Sequence, residues 1–271
     1  MPPLHLSRRA RWIVTSLVLA LAIGATSAPA ASPQATKPTI VLVHGAFADA
    51  SSWNGVTERL QHDGYPVVAP ANPLRGVASD SAYLRAVLAS IKGPIVLVGH
   101  SYAGMLITNA ATGNPNVKAL VYIAAYAPEQ GETATALNQL GGGGGLIGPA
   151  TLDLHPFPAA DGTQQQEATI EVSQFHRIFC ADLPSKQAAV MAAEQRPAAL
   201  AAFSEPAGPP AWKTIKSYYM VAGNDLAIGA KPERAMAKRI GAVTTTAKGA
   251  SHVVMVSQPA FTTKFVERAA Q

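Results

Sequence analysis

The sequence predicts an α/β fold, a mostly parallel sheet of about six strands flanked by helices, and three observations carry that prediction. Six apolar runs rich in β-branched residues recur along the chain, near-continuous instead of alternating, which marks strands buried on both faces. Segments with helical grammar separate these runs, as parallel pairing requires. The 271 residues are 48% hydrophobic, which supplies enough apolar surface for one sizeable core.

Residues 1–30 read as an export leader. "RRAR" (Arg8–Arg11) precedes the apolar run Trp12–Ala25, and "APA" (Ala28–Ala30) offers a small-residue cleavage site. The apolar run is shorter than the ~20 residues of a membrane span. The mature chain is therefore expected to start near Ala31, to keep no stable span, and to be periplasmic or secreted. Residues 31–271 then form one domain.

The first strand is expected in "TIVLVHG" (39–45), followed by a helix in "SSWNGVTERLQHDG" (51–64), with a serine to start it and Gly64 to stop it. "PVVAPAN" (66–72) supplies the second strand, and "SDSAYLRAVLASIKG" (79–93) a helix with Ser79 or Asp80 as cap. "GPIVLVGHS" (93–101) is the third strand, "GMLITNAAT" (104–112) a helix, and "ALVYIAAYAP" (119–128) the fourth strand. The last two strands lie in "SYYMVAGND" (217–225) and "AVTTTAKGASH" (242–252), before a final helix in "PAFTTKFVERAA" (259–270).

From about residue 128 to 212 the alternation stops. A connection of roughly 85 residues is too long for a simple loop. Alanine-rich stretches such as "SKQAAVMAAEQRPAALAAF" (185–203) predict a mostly helical lid over the carboxyl edge of the sheet, inserted before the penultimate strand. Within it, Gly141–Gly145 suggest a flexible hinge or loop; no helix with Lys-Ser/Thr follows to make a phosphate site.

Composition excludes several functions. The formal charge is +5, but residues 1–30 hold three arginines and no acid, so the mature part carries only +2. No basic cluster interleaved with aromatics remains there, which argues against a nucleic-acid partner. Cys180 is the sole cysteine, which excludes an intrachain disulfide and a Cys-rich zinc site; a small buried hydrophobe is its expected role. No H-E-x-x-H or similar spacing occurs, so no metal is expected.

The chemistry centres on "VGHSYAG" (Val98–Gly104), which places Ser101 where a predicted strand gives way to a helix. A serine hydroxyl attacks a carbonyl only when a base takes its proton and donors stabilise the oxyanion. In open parallel sheets such groups gather at the carboxyl ends of strands. Ser101, Asp225 and His252 all meet that condition, in that chain order. His252 would be the base and Asp225 the acid that holds its tautomer. The oxyanion donors would be the N–H of Tyr102 and one from the first loop, Ala46 or Phe47, where Gly45 lets the backbone come close. Other histidines fit less well. His44 and His100 sit beside the glycine and the serine, where they order loops; His62 is near a helix end, and His155 and His176 belong to the lid.

With "VLVHGAF", "GHSYAG", "AGNDLAI" and "GASHVVMVSQP" in register, the chain resembles the α/β-hydrolase superfamily across nearly all of the mature region. Within it the chain is similar to the branch of plant methylesterases and hydroxynitrile lyases and their bacterial esterase-like members. One departure is Ala103 at the second glycine of the serine motif G-x-S-x-G. The resemblance implies a cofactor-free serine hydrolase acting on a small-molecule carboxylic ester through an acyl-enzyme. Two positions separate the branch's chemistries: its lyases carry threonine where this chain has Gly45 and lysine where it has Val253. A cofactor-free perhydrolase, a hydroxynitrile lyase or a non-catalytic ligand-binding protein are the alternatives on the same framework. Phe157, Phe175, Phe179 and Phe203 in the lid suit a small hydrophobic or aromatic substrate.

Overall fold

The computed structural model describes residues 37–271; the predicted leader at 1–30 lies outside the described residues. In chain order the elements begin β1 (Thr39–Val43), α1 (Asn54–His62), β2 (Val67–Val68), α2 (Val77–Ser90), β3 (Ile95–His100), α3 (Ala103–Ala110) and β4 (Val117–Ile123). An inserted segment follows with α4 (Ala134–Leu137), β5 (Leu152–Pro158), β6 (Gln164–Ile170), α5 (Val172–Phe179), α6 (Ser185–Ala193), β7 (Ala198–Ala199) and α7 (Ala201–Ser204). The chain then returns through β8 (Ser217–Ala222), α8 (Ala230–Arg239), β9 (Val243–Ala247), α9 (Val254–Ser257) and α10 (Pro259–Ala269).

Six strands pair in the order β2-β1-β3-β4-β8-β9, and every pairing is parallel. Every residue of β3 and β8 is buried, as are all but one in β4, which is why these strands read as unbroken apolar runs. Each of the six predicted strands is present.

The inserted segment departs from the expected mostly helical lid, because it also carries a three-stranded antiparallel sheet, β5-β6-β7. The polar stretch Asp161–Glu167 is a hairpin turn and the strand leaving it. Asp161 accepts the Thr163 N–H and hydroxyl, and Gly162 takes φ +82°, the positive φ such a turn needs. The strands were hidden because most of β5 is exposed, so little apolar signal marks it. The stretch 185–203 likewise breaks into α6, β7 and α7.

The start of α2 differs as well. Gly76, not Ser79 or Asp80, is the N-cap. Asp80 lies inside the helix, where its carboxylate turns back to accept the N–H groups of Arg75 and Gly76, while Glu205 of the inserted segment takes the Ala78 N–H. A tertiary partner has replaced the local cap.

Candidate active site

Two glycines set the corner that presents Ser101. A Cβ on Gly99 would lie 2.9 Å from the Ala103 carbonyl, so α3 can fold back over β3 only with glycine there. A Cβ on Gly104 would lie 2.0 Å from the Tyr126 carbonyl oxygen, so close approach to the chain after β4 falls at this position. The tolerance of Ala103 follows: the tight contact is one residue further on. Between these glycines Ser101 takes φ +54°, a conformation that costs a non-glycine residue about 1–3 kcal/mol. The surroundings hold it there. Its carbonyl accepts from Gly104 and Tyr126, and its N–H donates to Ile123 and Ala124. Phe47 and Ala124 also have positive φ, +62° and +43°, so the strain gathers at the carboxyl ends of three neighbouring strands.

His252 and Asp225 come together from the loops after β9 and β8. Both side chains are wholly buried, and His252 Nδ1 lies 2.7 Å from Asp225 Oδ2. Two links between the loops fix this meeting: Gly223 N–H donates to Ala247 O and Asn224 N–H to Ala250 O. The other carboxylate oxygen, Oδ1, accepts Ala227 N–H at 2.6 Å and Ile228 N–H at 3.2 Å. Burial opposes the charge on Asp225, but the His252 charge and hydrogen bond, with the Ala227 amide, outweigh it and hold the carboxyl at about 2. Asp225 is thus an anion that accepts, and Nδ1 is the nitrogen that carries the proton. Nε2 keeps its lone pair and has no hydrogen-bond partner among the described residues. Ser101 Oγ is therefore not bonded to it in this state; such bonds commonly tighten when substrate binds.

His100 joins the serine to the histidine. Its ring centroid lies 4.6 Å from that of His252, and its Nε2 is 3.1 Å from the His252 carbonyl, so Nε2 bears the hydrogen. Burial, then the neighbouring His252 charge, pushes its pKa well below the usual imidazole range, so it stays neutral. His44 has a different task. Its Nε2 accepts the Asn72 N–H at 2.8 Å, which leaves Nδ1 to donate to the Gly45 carbonyl at 2.9 Å. In a trans peptide the N–H points opposite to the C=O. His44 therefore turns the Ala46 N–H away from itself, and the Ala46, Phe47 and Tyr102 N–H groups find no backbone acceptor among the described residues. Gly45 is pressed against the serine: a Cβ there would lie 2.6 Å from Ser101 Cβ.

Aromatic rings surround this group. Phe179 lies 5.1 Å from the His252 ring, and Phe47 stacks on Phe203 at 5.8 Å, which in turn lies 6.2 Å from Tyr102. Phe175 backs Phe179, whereas Phe157 sits under the Arg75 guanidinium, at 4.5 Å, and belongs to the hairpin. The histidines of the inserted segment bind within it, His155 near Thr169 and His176 to Leu183 O. Cys180 is a buried free thiol, pushed up to about 12 by burial and by Asp182, and so is unreactive. Beside Phe47 a cleft of about 200 Å³ opens between the first loop and α6, lined by Asp49, Met191 and Glu194 among others.

Three supporting residues carried no usable sequence signal. Glu233, buried in α8, accepts the Ala222 N–H at 2.9 Å just before Asp225. Asp80 accepts the Tyr102 hydroxyl at 2.9 Å and so anchors the residue after Ser101. Asp182 accepts the Ser251 hydroxyl next to His252. Each acts through tertiary contacts that no local spacing announces.

Comparison with known proteins agrees with this fold. The sequence profile described as the alpha/beta hydrolase family matches residues 40–264. The carbendazim hydrolyzing esterase of Nocardioides sp. (strain SG-4G) is 33% identical over 110 residues, 36% of this chain; the match spans 46% of that protein, less than half its length. Among solved structures, polyneuridine aldehyde esterase superposes with a TM-score of 0.73 at 19% identity, covering 87% of this chain and 100% of that one. A pyrethroid hydrolase from Sphingobium faniae JZ-2 superposes with a TM-score of 0.67 at 20% identity, covering 86% and 97%. At such identities the superpositions show a shared fold.

Proposed function

The chain belongs to the alpha/beta hydrolase family, and from that premise we propose that it hydrolyses carboxylic esters of small hydrophobic or aromatic substrates through an acyl-enzyme on Ser101. The observation that carries this reading is the corner at Ser101, held at φ +54° beside a buried His252–Asp225 pair 2.7 Å apart.

In this reading Ser101 Oγ attacks the ester carbonyl carbon while its proton passes to His252 Nε2, the nitrogen left free because Asp225 holds Nδ1–H. The oxyanion is received by the N–H of Tyr102 and of Ala46, the latter aimed by His44, with Phe47 alongside. The C–O bond to the alcohol breaks, and the alcohol leaves with the proton from His252. Water then gives a proton to His252 and attacks the acyl carbon. The acid departs and Ser101 recovers its hydrogen.

The aromatic cluster of Phe47, Phe179 and Phe203 supports apolar acyl or alcohol groups. The names of the relatives support ester hydrolysis in general, since they are a carbendazim hydrolyzing esterase, a polyneuridine aldehyde esterase and a pyrethroid hydrolase. Gly45 and Val253 favour ester hydrolysis over cyanohydrin cleavage. No side chain fits at 45, and Val253, wholly buried, brings no positive charge for a cyanide leaving group.

A panel of chromogenic esters of graded acyl length, run beside an aromatic cyanohydrin, tests the reading. Turnover of short or aryl esters without cyanide release is expected. Comparable or faster cyanide release, or intact binding of esters with no turnover, would overturn it.

A further inference from the structure

Five consecutive glycines, Gly141–Gly145, lie between α4 and β5. The sequence suggests a hinge or loop, but the packing is that of a clasp. A Cβ on Gly145 would lie 2.4 Å from the Ala227 carbonyl oxygen and 2.6 Å from that of Ile228, and one on Gly141 would lie 2.9 Å from that of Lys231. From the other side, a Cβ on Gly229 would lie 2.8 Å from the Gly144 carbonyl carbon and from the Gly145 nitrogen. The Leu146 N–H donates to the Leu226 carbonyl at 2.7 Å. Backbone thus lies directly on backbone along residues 226–231, an approach open only to residues without side chains.

That clasped stretch is the one that shapes Asp225. Its Oδ1 accepts the N–H groups of Ala227 and Ile228, which leaves Oδ2 to face His252. The Ala227 carbonyl and the Ile228 N–H belong to a single planar peptide unit. Gly145 presses on the carbonyl side of that plane, and Asp225 hangs from its N–H side. A shift of the plane on one side turns the carboxylate on the other.

We propose that the glycine run is a positioning element for Asp225, which sets the rotation of the carboxylate that orients His252 by packing against the Ala227–Ile228 peptide. The inference rests on the reading of Ser101, His252 and Asp225 as a catalytic triad. None of the five glycines touches substrate in this scheme; their effect passes through the acid.

A double-mutant cycle tests it. Gly145→Ala is made in the wild-type and Asp225→Asn backgrounds. Gly148→Ala, where an added Cβ meets nothing within 4 Å and φ is not positive, is the control. The readout is the second-order rate constant for labelling of Ser101 by a fluorophosphonate, followed by intact mass, which reports the folded sites whatever fraction folds. kcat and KM for an aryl ester accompany it.

Gly145→Ala is expected to slow labelling and kcat by roughly tenfold to a hundredfold in the wild type, with KM little changed. In the Asp225→Asn background it should cost less than about twofold, because the carboxylate it positions is gone. Gly148→Ala should match the wild type. An equal loss in both backgrounds, or no loss in the first, overturns the proposal while leaving the triad intact. A wild-type rate in Asp225→Asn itself overturns both. Should Gly145→Ala fail to fold, Gly141→Ala, at the far end of the clasp, goes through the same cycle and is judged by the same outcomes.

Discussion

Replacing Asp225 by asparagine changes one atom in the site, and the structure dictates where that atom goes. Oδ1 accepts two backbone N–H groups, from Ala227 and Ile228. An amide NH₂ cannot accept them, so the asparagine oxygen must take the Oδ1 place and its NH₂ the Oδ2 place, against His252 Nδ1. Two donors cannot share one hydrogen bond. His252 is then driven to the other tautomer, with Nδ1 accepting and the proton on Nε2, and the lone pair that would receive the Ser101 proton is lost. The shape of the site is kept while its base is disabled. The expected loss in kcat is on the order of 10⁴-fold, or about 5.4 kcal/mol of barrier. Steady-state hydrolysis of an aryl ester measures it, with circular dichroism to verify the fold. A loss below about tenfold in a folded Asp225→Asn protein would refute the assignment of the acid and the tautomer argument with it.

Ser101→Ala should remove at least about 10⁴-fold of ester turnover and abolish fluorophosphonate labelling, read by intact mass, while the protein stays folded. Burial, then the neighbouring Asp225 charge, pushes the Glu233 carboxyl well above the usual carboxylate range. The folded chain therefore keeps a proton that the unfolded chain releases as pH passes about 4.5, and stability falls as pH rises from there toward the folded pKa. Glu233→Gln should be neutral at pH 4 and increasingly stabilising above it, by at most about 1.4 kcal/mol per pH unit; urea unfolding across pH 4–8 measures this, and a flat difference would contradict it. Gly104→Ala, whose Cβ would lie 2.0 Å from the Tyr126 carbonyl oxygen, should cost about 1–3 kcal/mol or more in the same assay. Intact mass of protein recovered from an exporting host should show a chain starting near Ala31.

The candidate site was largely legible because its three main residues each follow a predicted strand, and strand ends are where an open parallel sheet exposes side chains. Ser101, Asp225 and His252 needed no knowledge of packing to be named as candidates. The hairpin was not legible, since exposed strands such as β5 lack the apolar pattern that marks a strand. Neither was the start of α2, where Glu205, 127 residues from Ala78, supplies the cap. Nor was the packing role of the glycine run legible, for the same reason: composition shows that side chains are missing, not what occupies the space they leave.

By itself, then, the sequence determined the alternation of strand and helix, the parallel sheet and the three strand ends that carry Ser101, Asp225 and His252. Those follow from local periodicity and turn chemistry, which act over a few residues. The tertiary structure decided which atom of each side chain faces which partner. Backbone amides at Ala227 and Ile228 choose the carboxylate oxygen that meets His252, and Asn72 chooses the His44 tautomer that turns the Ala46 N–H. Hydrogen-bond direction depends on groups brought together from distant parts of the chain, so it arises only when the loops close on one another.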